Sequence, residues 1–164
     1  MKKTAIILGS ASDLPVAEKS IEVLQKLNIP FSVNVISAHR TPETARDFAL
    51  KARAEGCGAI IAVAGKAAHL AGVLAAHTRL PVIGVPVKSA DLGGLDALLS
   101  TVQMPSGVPV ACVAIDGGAN AAWLAARILA LGDDELADRL EGEALHMAEK
   151  VEQANHELIQ KFRR

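Results

Sequence analysis

His39 and Arg40 are neighbours within residues 37–42 (SAHRTP), and together they could move a proton beside a bound anion. Histidine gives and takes protons near neutral pH, and the planar guanidinium of arginine is suited to phosphate. The six residues alone also allow a simpler interpretation, in which His39 only helps to cap a helix and Arg40 lies on the surface. The elements that position the segment must decide between the two.

The segment joins a predicted strand, residues 31–36, to a predicted helix. Val33 and Val35 are β-branched, as strand residues often are. Thr41 is typical of an N-cap residue, and Pro42 is typical of the first helical position. Ligands of open α/β sheets bind at the carboxyl ends of the strands, so the segment lies where a ligand site is expected.

Five short apolar segments alternate with longer helical patterns along the 164 residues, and they cover residues 4–8, 31–36, 59–64, 81–87 and 108–115. Because each segment is apolar almost throughout, burial on both faces is expected, as in a parallel sheet covered by helices. The intervening helices, about 10 to 15 residues each, are long enough for crossovers. The pattern predicts an α/β fold: a three-layer, doubly wound, flavodoxin-like parallel sheet of five strands. Without a linker or repeat, residues 1–164 are expected to form one domain.

The composition argues against several kinds of partner. A formal net charge of −1 and 2% aromatic residues provide neither the basic surface nor the stacking platforms that bind nucleic acid. No apolar run approaches the roughly 18 uncharged residues of a membrane span, so no membrane partner is expected. Cys57 and Cys112 lie far apart in apolar stretches and form no metal-binding pattern. Buried thiols are expected there, which favours the cytoplasm.

A second ligand-type segment, residues 9–15 (GSASDLP), follows the first predicted strand. Ser10, Ser12 and Asp13 are potential N-cap residues, and free amides and hydroxyls at a helix N-terminus suit phosphate. Asp13 would repel a phosphate, so ribose hydroxyls are its expected ligand. The segment lacks the glycine patterns of dinucleotide and nucleoside triphosphate sites, which leaves a smaller monophosphate. A pure capping role for Ser12 and Asp13 remains an alternative.

Residues 65–72 (GKAAHLAG) form a third such segment, after the middle strand, and their small side chains would let a ligand approach the backbone. Lys66 is expected either to be solvated or to face an anion. His69 is expected to pack beneath the loop rather than to take part directly in catalysis. Residues 88–91 (KSAD) follow the fourth strand and could belong to the same rim or to a neighbour's wall.

Six segments, in order along nearly the whole chain, resemble the PurE family of purine biosynthesis. They read GSxSD, SAHRTP, AAHL, GVPV, VQMPxGVPV and NAAxLAAxIL, at residues 9–13, 37–42, 67–70, 84–87, 102–110 and 120–129. SAHRTP and VQMP are similar to the motifs of the family's bacterial branch. Members of that branch are mutases that convert 5-(carboxyamino)imidazole ribonucleotide to 4-carboxy-5-aminoimidazole ribonucleotide. The resemblance implies an isomerase that needs no metal or other cofactor and whose partners are a small ribonucleotide and carbon dioxide.

The resemblance also implies a role for each segment. His39 would be the general acid/base that moves the ring proton, Arg40 would hold the phosphate, and Asp13 would bind the ribose hydroxyls. The other substrate-binding residues that it implies are Ser10, Ser12, Ser37, Gly65, Lys66, Ala67, Ala68, His69 and Leu70. The last six of these would enclose the base and the migrating carboxyl group.

Lys66 and Ala71 depart from the mutase pattern GGAAHLPG, which has glycine and proline at these positions. A cation at position 66 is similar to the third loop of the family's sister branch, which reads GRSN. That branch carboxylates aminoimidazole ribonucleotide directly with carbon dioxide. A phosphoribosylaminoimidazole carboxylase is therefore one alternative. A non-catalytic nucleotide-binding protein or a flavodoxin-like electron carrier is an alternative from another class, because either would also use the first segment.

The C-terminal region predicts one long helix, in which Gly142 is a candidate for a bend. Its apolar residues recur every three or four positions at Leu136, Leu140, Ala144, Met147, Val151, Ala154, Leu158 and Phe162. A helix of about 30 residues spans about 45 Å, more than one small domain can cover. Part of it is expected to pack on another subunit, although folding back on its own sheet is an alternative. The resemblance implies a homo-octamer, with residues 133–163 as an oligomerisation helix.

Overall fold

The computed structural model describes residues 1–163, and a sheet of five parallel strands lies at its centre. The strands are β1 (Lys3–Leu8), β2 (Phe31–Val35), β3 (Cys57–Gly65), β4 (Val82–Val87) and β5 (Ala111–Cys112). The helices are α1 (Leu14–Lys26), α2 (Pro42–Lys51), α3 (Leu70–His77), α4 (Leu95–Val102), α5 (Gly118–Ala130) and α6 (Asp134–Phe162). The strand order is β2-β1-β3-β4-β5, which is the doubly wound, flavodoxin-like arrangement.

The two faces of the sheet carry separate hydrophobic cores, because successive side chains of a strand point to opposite sides. On β1, Ile6 and Leu8 pack in the core beneath α1 and α5. Ala5 and Ile7, on the other face, pack in the core shared with α2, α3 and α4. Helices therefore cover both faces, and the predicted three-layer α/β fold is confirmed.

The two edge strands differ from the sequence expectation. Val33 and Val35 of β2 are 38% and 58% exposed, so this strand is not buried on both faces. The predicted strand at residues 108–115 is ordered as a strand only at β5, where Ala111 and Cys112 pair with β4. Pro109 has no N–H to donate to a neighbouring strand, which is consistent with the short pairing. Helices α3 and α4 have eight residues each, fewer than predicted.

Helix α6 runs continuously for 29 residues, through Gly142. Asp133 caps its start by accepting a hydrogen bond from the N–H of Leu136 at 3.1 Å. Leu136 is the buried residue of the helix, and an ion pair joins Glu143 to Lys26 of α1. Beyond this ion pair the helix exposes Leu145, Met147, Val151, Leu158, Ile159 and Phe162. Within residues 1–163, no helix has the length and apolarity needed to cross a membrane.

Candidate active site

Four loops that follow β1, β2, β3 and β4 meet around one pocket. We call residues 9–13 the first loop, 36–41 the second, 66–69 the third and 88–94 the fourth. Parallel strands bring these loops to the same edge of the sheet, and the order β2-β1-β3 places the topological switch point there. All four loops line a cavity of about 460 Å³. The topology alone therefore explains why distant polar segments share one site.

The first loop is held by hydrogen bonds to β3 and among its own residues. The N–H of Gly9 donates to the carbonyl of Val63 on β3 at 2.9 Å, which fixes where the loop leaves the sheet. The N–H of Ser10 donates to Oδ2 of Asp13 at 3.0 Å, and Oγ of Ser10 accepts from the N–H of Ser12 at 3.3 Å. Burial raises the pKa of Asp13, against the opposite effect of the Ser10 hydrogen bond. The loop thus fixes a buried carboxyl group at the pocket wall.

The second loop is a tight turn closed by Ser37 and Thr41. The hydroxyl of Thr41 accepts from the N–H of Ser37 at 3.1 Å and donates to the Ser37 carbonyl at 3.0 Å. Oγ of Ser37 accepts from the backbone N–H of Arg40 at 3.2 Å. Thr41 does occupy the N-cap position with Pro42 next, but its hydroxyl bonds back to the loop rather than to the helix. The turn leaves the side chains of His39 and Arg40 exposed at the pocket.

The imidazole rings of His39 and His69 are in direct contact. Nε2 of His39 lies 3.0 Å from Nδ1 of His69, and the rings meet edge to face with their planes at 81°. One of the two nitrogens must donate and the other accept. His69 is exposed, so the expectation that it packs beneath the loop is wrong. The contact joins the second loop to the third.

Lys66 adopts a left-handed backbone conformation with φ of 54°. A residue with a side chain is disfavoured there by roughly 1–2 kcal/mol, whereas glycine, present at this position in the mutase pattern, adopts it freely. Nζ of Lys66 lies 2.8 Å from Oδ2 of Asp91 in the fourth loop. This hydrogen bond and charge raise the pKa of Lys66. The lysine is therefore paired with a carboxylate rather than simply solvated.

The structure brings most of the predicted site residues to the pocket. Those that line it are Ser10, Ser12, Asp13, Ser37, His39, Arg40, Gly65, Lys66, Ala67 and Leu70. Ala68 does not line it, because its side chain is buried in the core beneath the third loop. His69 reaches the site through His39.

The fourth loop also contributes to the pocket; residues 88–91 were expected either at this rim or at a neighbour's wall, and three of them lie at the rim. Lys88, Ser89 and Ala90 line the pocket opposite the first and second loops. Their signal in the sequence is topological, since they directly follow a buried parallel strand. Their position adds a third cation, Lys88, to a pocket wall that already carries Arg40 and Lys66.

Comparison with known proteins gives the family. The family model described as AIR carboxylase matches residues 3–150. An N5-carboxyaminoimidazole ribonucleotide mutase from Pyrococcus horikoshii is 53% identical over 148 residues, which cover 90% of this chain and 84% of the relative. A mutase of the same name from Thermotoga maritima is 47% identical, with 95% of each chain covered.

The fold comparison agrees with the sequence comparison. The crystal structure of PurE from Treponema denticola superimposes with a TM-score of 0.85, at 31% identity and with 98% of both chains covered. The match includes the sheet, the loops around the pocket and the C-terminal helix, because almost no part of either chain is left out. The chain therefore belongs to the AIR carboxylase family.

Proposed function

We propose that this protein is a mutase that converts 5-(carboxyamino)imidazole ribonucleotide into 4-carboxy-5-aminoimidazole ribonucleotide, a step of de novo purine biosynthesis. The names of its relatives support this activity. The observation that carries it is the placement of His39, an exposed acid/base group on a rigid turn, beside a pocket with phosphate-binding chemistry. The whole chain, residues 1–164, acts in this proposal as one catalytic domain.

The first and second loops bind the ribose phosphate. Arg40 is suited to the phosphate because its planar guanidinium matches two oxygens at once. Ser10, Ser12 and Ser37 line the same wall and supply hydroxyl groups. Asp13, fixed by the N–H of Ser10, faces the ribose hydroxyls, which are donors to a carboxylate.

The third and fourth loops enclose the base and the migrating carboxyl group. The bond between the exocyclic nitrogen and the carboxylate carbon breaks, and its electron pair stays on the nitrogen, which takes a proton. The resulting carbon dioxide is then attacked by the ring carbon, and that carbon loses its proton. His39 donates the first proton and accepts the second, so the net change is one proton moved and one carboxylate transferred.

His69 orients the ring of His39. Because Nε2 of His39 and Nδ1 of His69 share one hydrogen bond, the tautomer of one ring fixes that of the other. A histidine held in one orientation can present its free nitrogen repeatedly to the same point of the substrate. We therefore assign His69 a positioning role and His39 the catalytic one.

The pairing of Lys66 bears on the alternative of direct carboxylation. The likeness to the carboxylase branch lies in the cation at position 66, but Nζ of Lys66 is paired with Asp91 at 2.8 Å instead of being free to face the substrate. Both relatives described above are named mutases. These observations favour the mutase over the carboxylase and over a non-catalytic nucleotide-binding or electron-carrier protein.

The experiment offers the purified enzyme each substrate in turn, with ¹³C-labelled bicarbonate in the buffer. We expect the carbamate to give an unlabelled 4-carboxy product, because its own carbon dioxide is recaptured. Product formed only from aminoimidazole ribonucleotide, with label from the buffer, would contradict the mutase proposal. Binding of either ribonucleotide without turnover would identify a non-catalytic protein instead.

A homo-octamer with residues 133–163 as the oligomerisation helix completes the proposal. Its support is the exposed apolar surface of α6 beyond Glu143, including Val151, Leu158 and Phe162, which a single chain leaves in contact with water. Light scattering should give eight times the 17.1 kDa chain mass, and a monomer would contradict it. We place the reaction in the cytoplasm, since phosphorylated intermediates do not cross a membrane unaided, and cell fractionation tests this location.

A further inference from the structure

An ion pair joins the third and fourth loops across the mouth of the pocket. Nζ of Lys66 lies 2.8 Å from Oδ2 of Asp91, and the two side chains are 72% and 61% exposed. Lys66 lines the pocket on one side, and residues 88–90 line it on the other. Asp91 does not itself line the pocket, so it does not contact the substrate directly but joins the two loops that do.

The fourth loop is anchored at its start and ends in two glycines. The N–H of Lys88 donates to Oδ1 of Asp116 at 2.9 Å, which anchors the first residue. At the other end, Gly93 and Gly94 have φ of 63° and 94°, conformations open to glycine, and lead into α4. Oγ of Ser89 donates to Oδ2 of Asp96 in α4 at 3.4 Å, which holds the loop from within. Asp91 lies between the anchor and the glycines, so its carboxylate adds a fastening that joins the middle of this loop to the third loop.

The third loop holds its half of the ion pair in a defined place. Lys66 keeps a left-handed backbone, and the N–H groups of Ala68 and His69 donate to the carbonyls of Lys66 and Ala67, each at 2.8 Å. Unfavourable backbone conformations of this kind persist where the surrounding structure enforces them, often at ligand clamps. The loop thus presents an ammonium group to the neighbouring loop instead of leaving it in solvent.

We infer that Lys66 and Asp91 form a latch that closes the fourth loop over the pocket and retains carbon dioxide during its transfer. The inference rests on the proposed function, in which carbon dioxide is free between the breaking of one bond and the forming of the next. An exposed ion pair changes an equilibrium by only about two- to fivefold, so the latch still opens for the ribonucleotide to enter and leave. Carbon dioxide that escapes leaves aminoimidazole ribonucleotide behind.

The test follows a ¹³C-labelled carbamate in unlabelled bicarbonate buffer and compares the wild-type enzyme with Asp91→Asn. We expect the variant to lose about two- to fivefold more label per turnover, while its affinity for the ribonucleotide stays unchanged. Added salt should raise the loss of label in the wild type and not in the variant, because salt screens the exposed charges of the ion pair. Asp47→Asn, which removes the same charge from an exposed pair with Arg46 on α2, is the matched control. Equal label loss in Asp91→Asn and wild type at low salt would overturn the latch.

Exchanging the two charges of the ion pair distinguishes the latch from a general disturbance of the two loops. The double variant Lys66→Asp with Asp91→Lys should retain label better than either single variant, since it restores an ion pair. Hydrogen exchange at residues 88–94 of the ligand-free protein should be faster in Asp91→Asn than in the wild type. A wild-type enzyme that fails to convert the carbamate would refute the proposed function, whereas equal hydrogen exchange in the two proteins would refute the latch.

Discussion

Replacing His39 by Asn should abolish most of the turnover while leaving ribonucleotide binding nearly intact. The amide of Asn keeps polarity and part of the shape of the ring but cannot carry a proton between two points. The hydrogen bonds that shape the second loop use Ser37, Thr41 and the backbone of Arg40, and none of them uses the imidazole of residue 39. The turn and its arginine should therefore stay in place.

The size of the effect follows from the chemistry that is lost. A positioned acid/base group contributes about 10²–10⁴-fold to a rate, or about 3–5 kcal/mol in the activation barrier. Because the ring is exposed and its contact is with His69, the substitution should change the free energy of unfolding by less than about 0.5 kcal/mol. Turnover and stability should thus respond very differently.

A double-mutant cycle tests the division of roles between the two histidines. His69→Asn alone should lower kcat about tenfold, since it removes an orienting contact and leaves the proton carrier. In the His39→Asn background the same change should have no further effect, because there is no ring left to orient. The assay measures kcat by product formation and affinity by calorimetry with the 4-carboxy product. His156→Asn, on α6, is the control.

Two results would refute this reasoning. Normal turnover in His39→Asn would exclude the residue as the proton carrier. A double variant much slower than His39→Asn would show that His69 moves protons itself.

Three other expectations address stability. Burial raises the pKa of Asp13 above its ordinary value of 3.8, so the folded protein loses stability as the pH rises past 3.8 and this carboxyl group ionises. Asp13→Asn should remove this loss, as measured by urea unfolding between pH 4 and 7. The same substitution should weaken ribonucleotide binding. The free energy of unfolding should be about 1 kcal/mol higher for Lys66→Gly than for Lys66→Ala. Both variants lose the ion pair, but only glycine adopts the left-handed backbone conformation without strain. Gly142→Ala on exposed α6 should stabilise by about 1 kcal/mol, whereas Gly118→Ala, whose Cβ would collide with the Val16 carbonyl, should cost about 1–3 kcal/mol in thermal melting.

The sequence was a reliable guide to the central strands and a poorer one to the edges. The apolar runs of β1, β3 and β4 correspond to strands buried on both faces, as predicted. The segment of β2 differs, because Ser32 and Asn34 alternate with its apolar residues. Val33 and Val35 are exposed in this edge strand and belong to neither hydrophobic core. The place of β2 at the edge depends on the order in which all five strands assemble, which the hydropathy of one segment does not record.

For the site, the sequence could place loops but not contacts. The rule that ligands bind at the carboxyl ends of parallel strands brings the first three loops together without any coordinates. The contact between His39 and His69 could not be foreseen, because it joins residues 30 positions apart through two side-chain conformations. The left-handed backbone of Lys66 could not be foreseen either, because a lysine is disfavoured in that conformation and the sequence indicated only a cation at this position.

The pocket is built from two halves with different mechanical properties. The first and second loops are held by hydrogen bonds within each loop, around Asp13 and Thr41, as the fixed geometry of phosphate and ribose binding requires. The third loop also has backbone hydrogen bonds of its own, but the fourth loop is tied to it by the exposed pair of Lys66 and Asp91, which suits a wall that must open. His39 belongs to the fixed half and touches His69 in the other. Changes at the phosphate and ribose side chains of the fixed half should therefore act on affinity, changes at Lys66 and Asp91 on the retention of carbon dioxide, and changes at His39 and His69 on turnover itself.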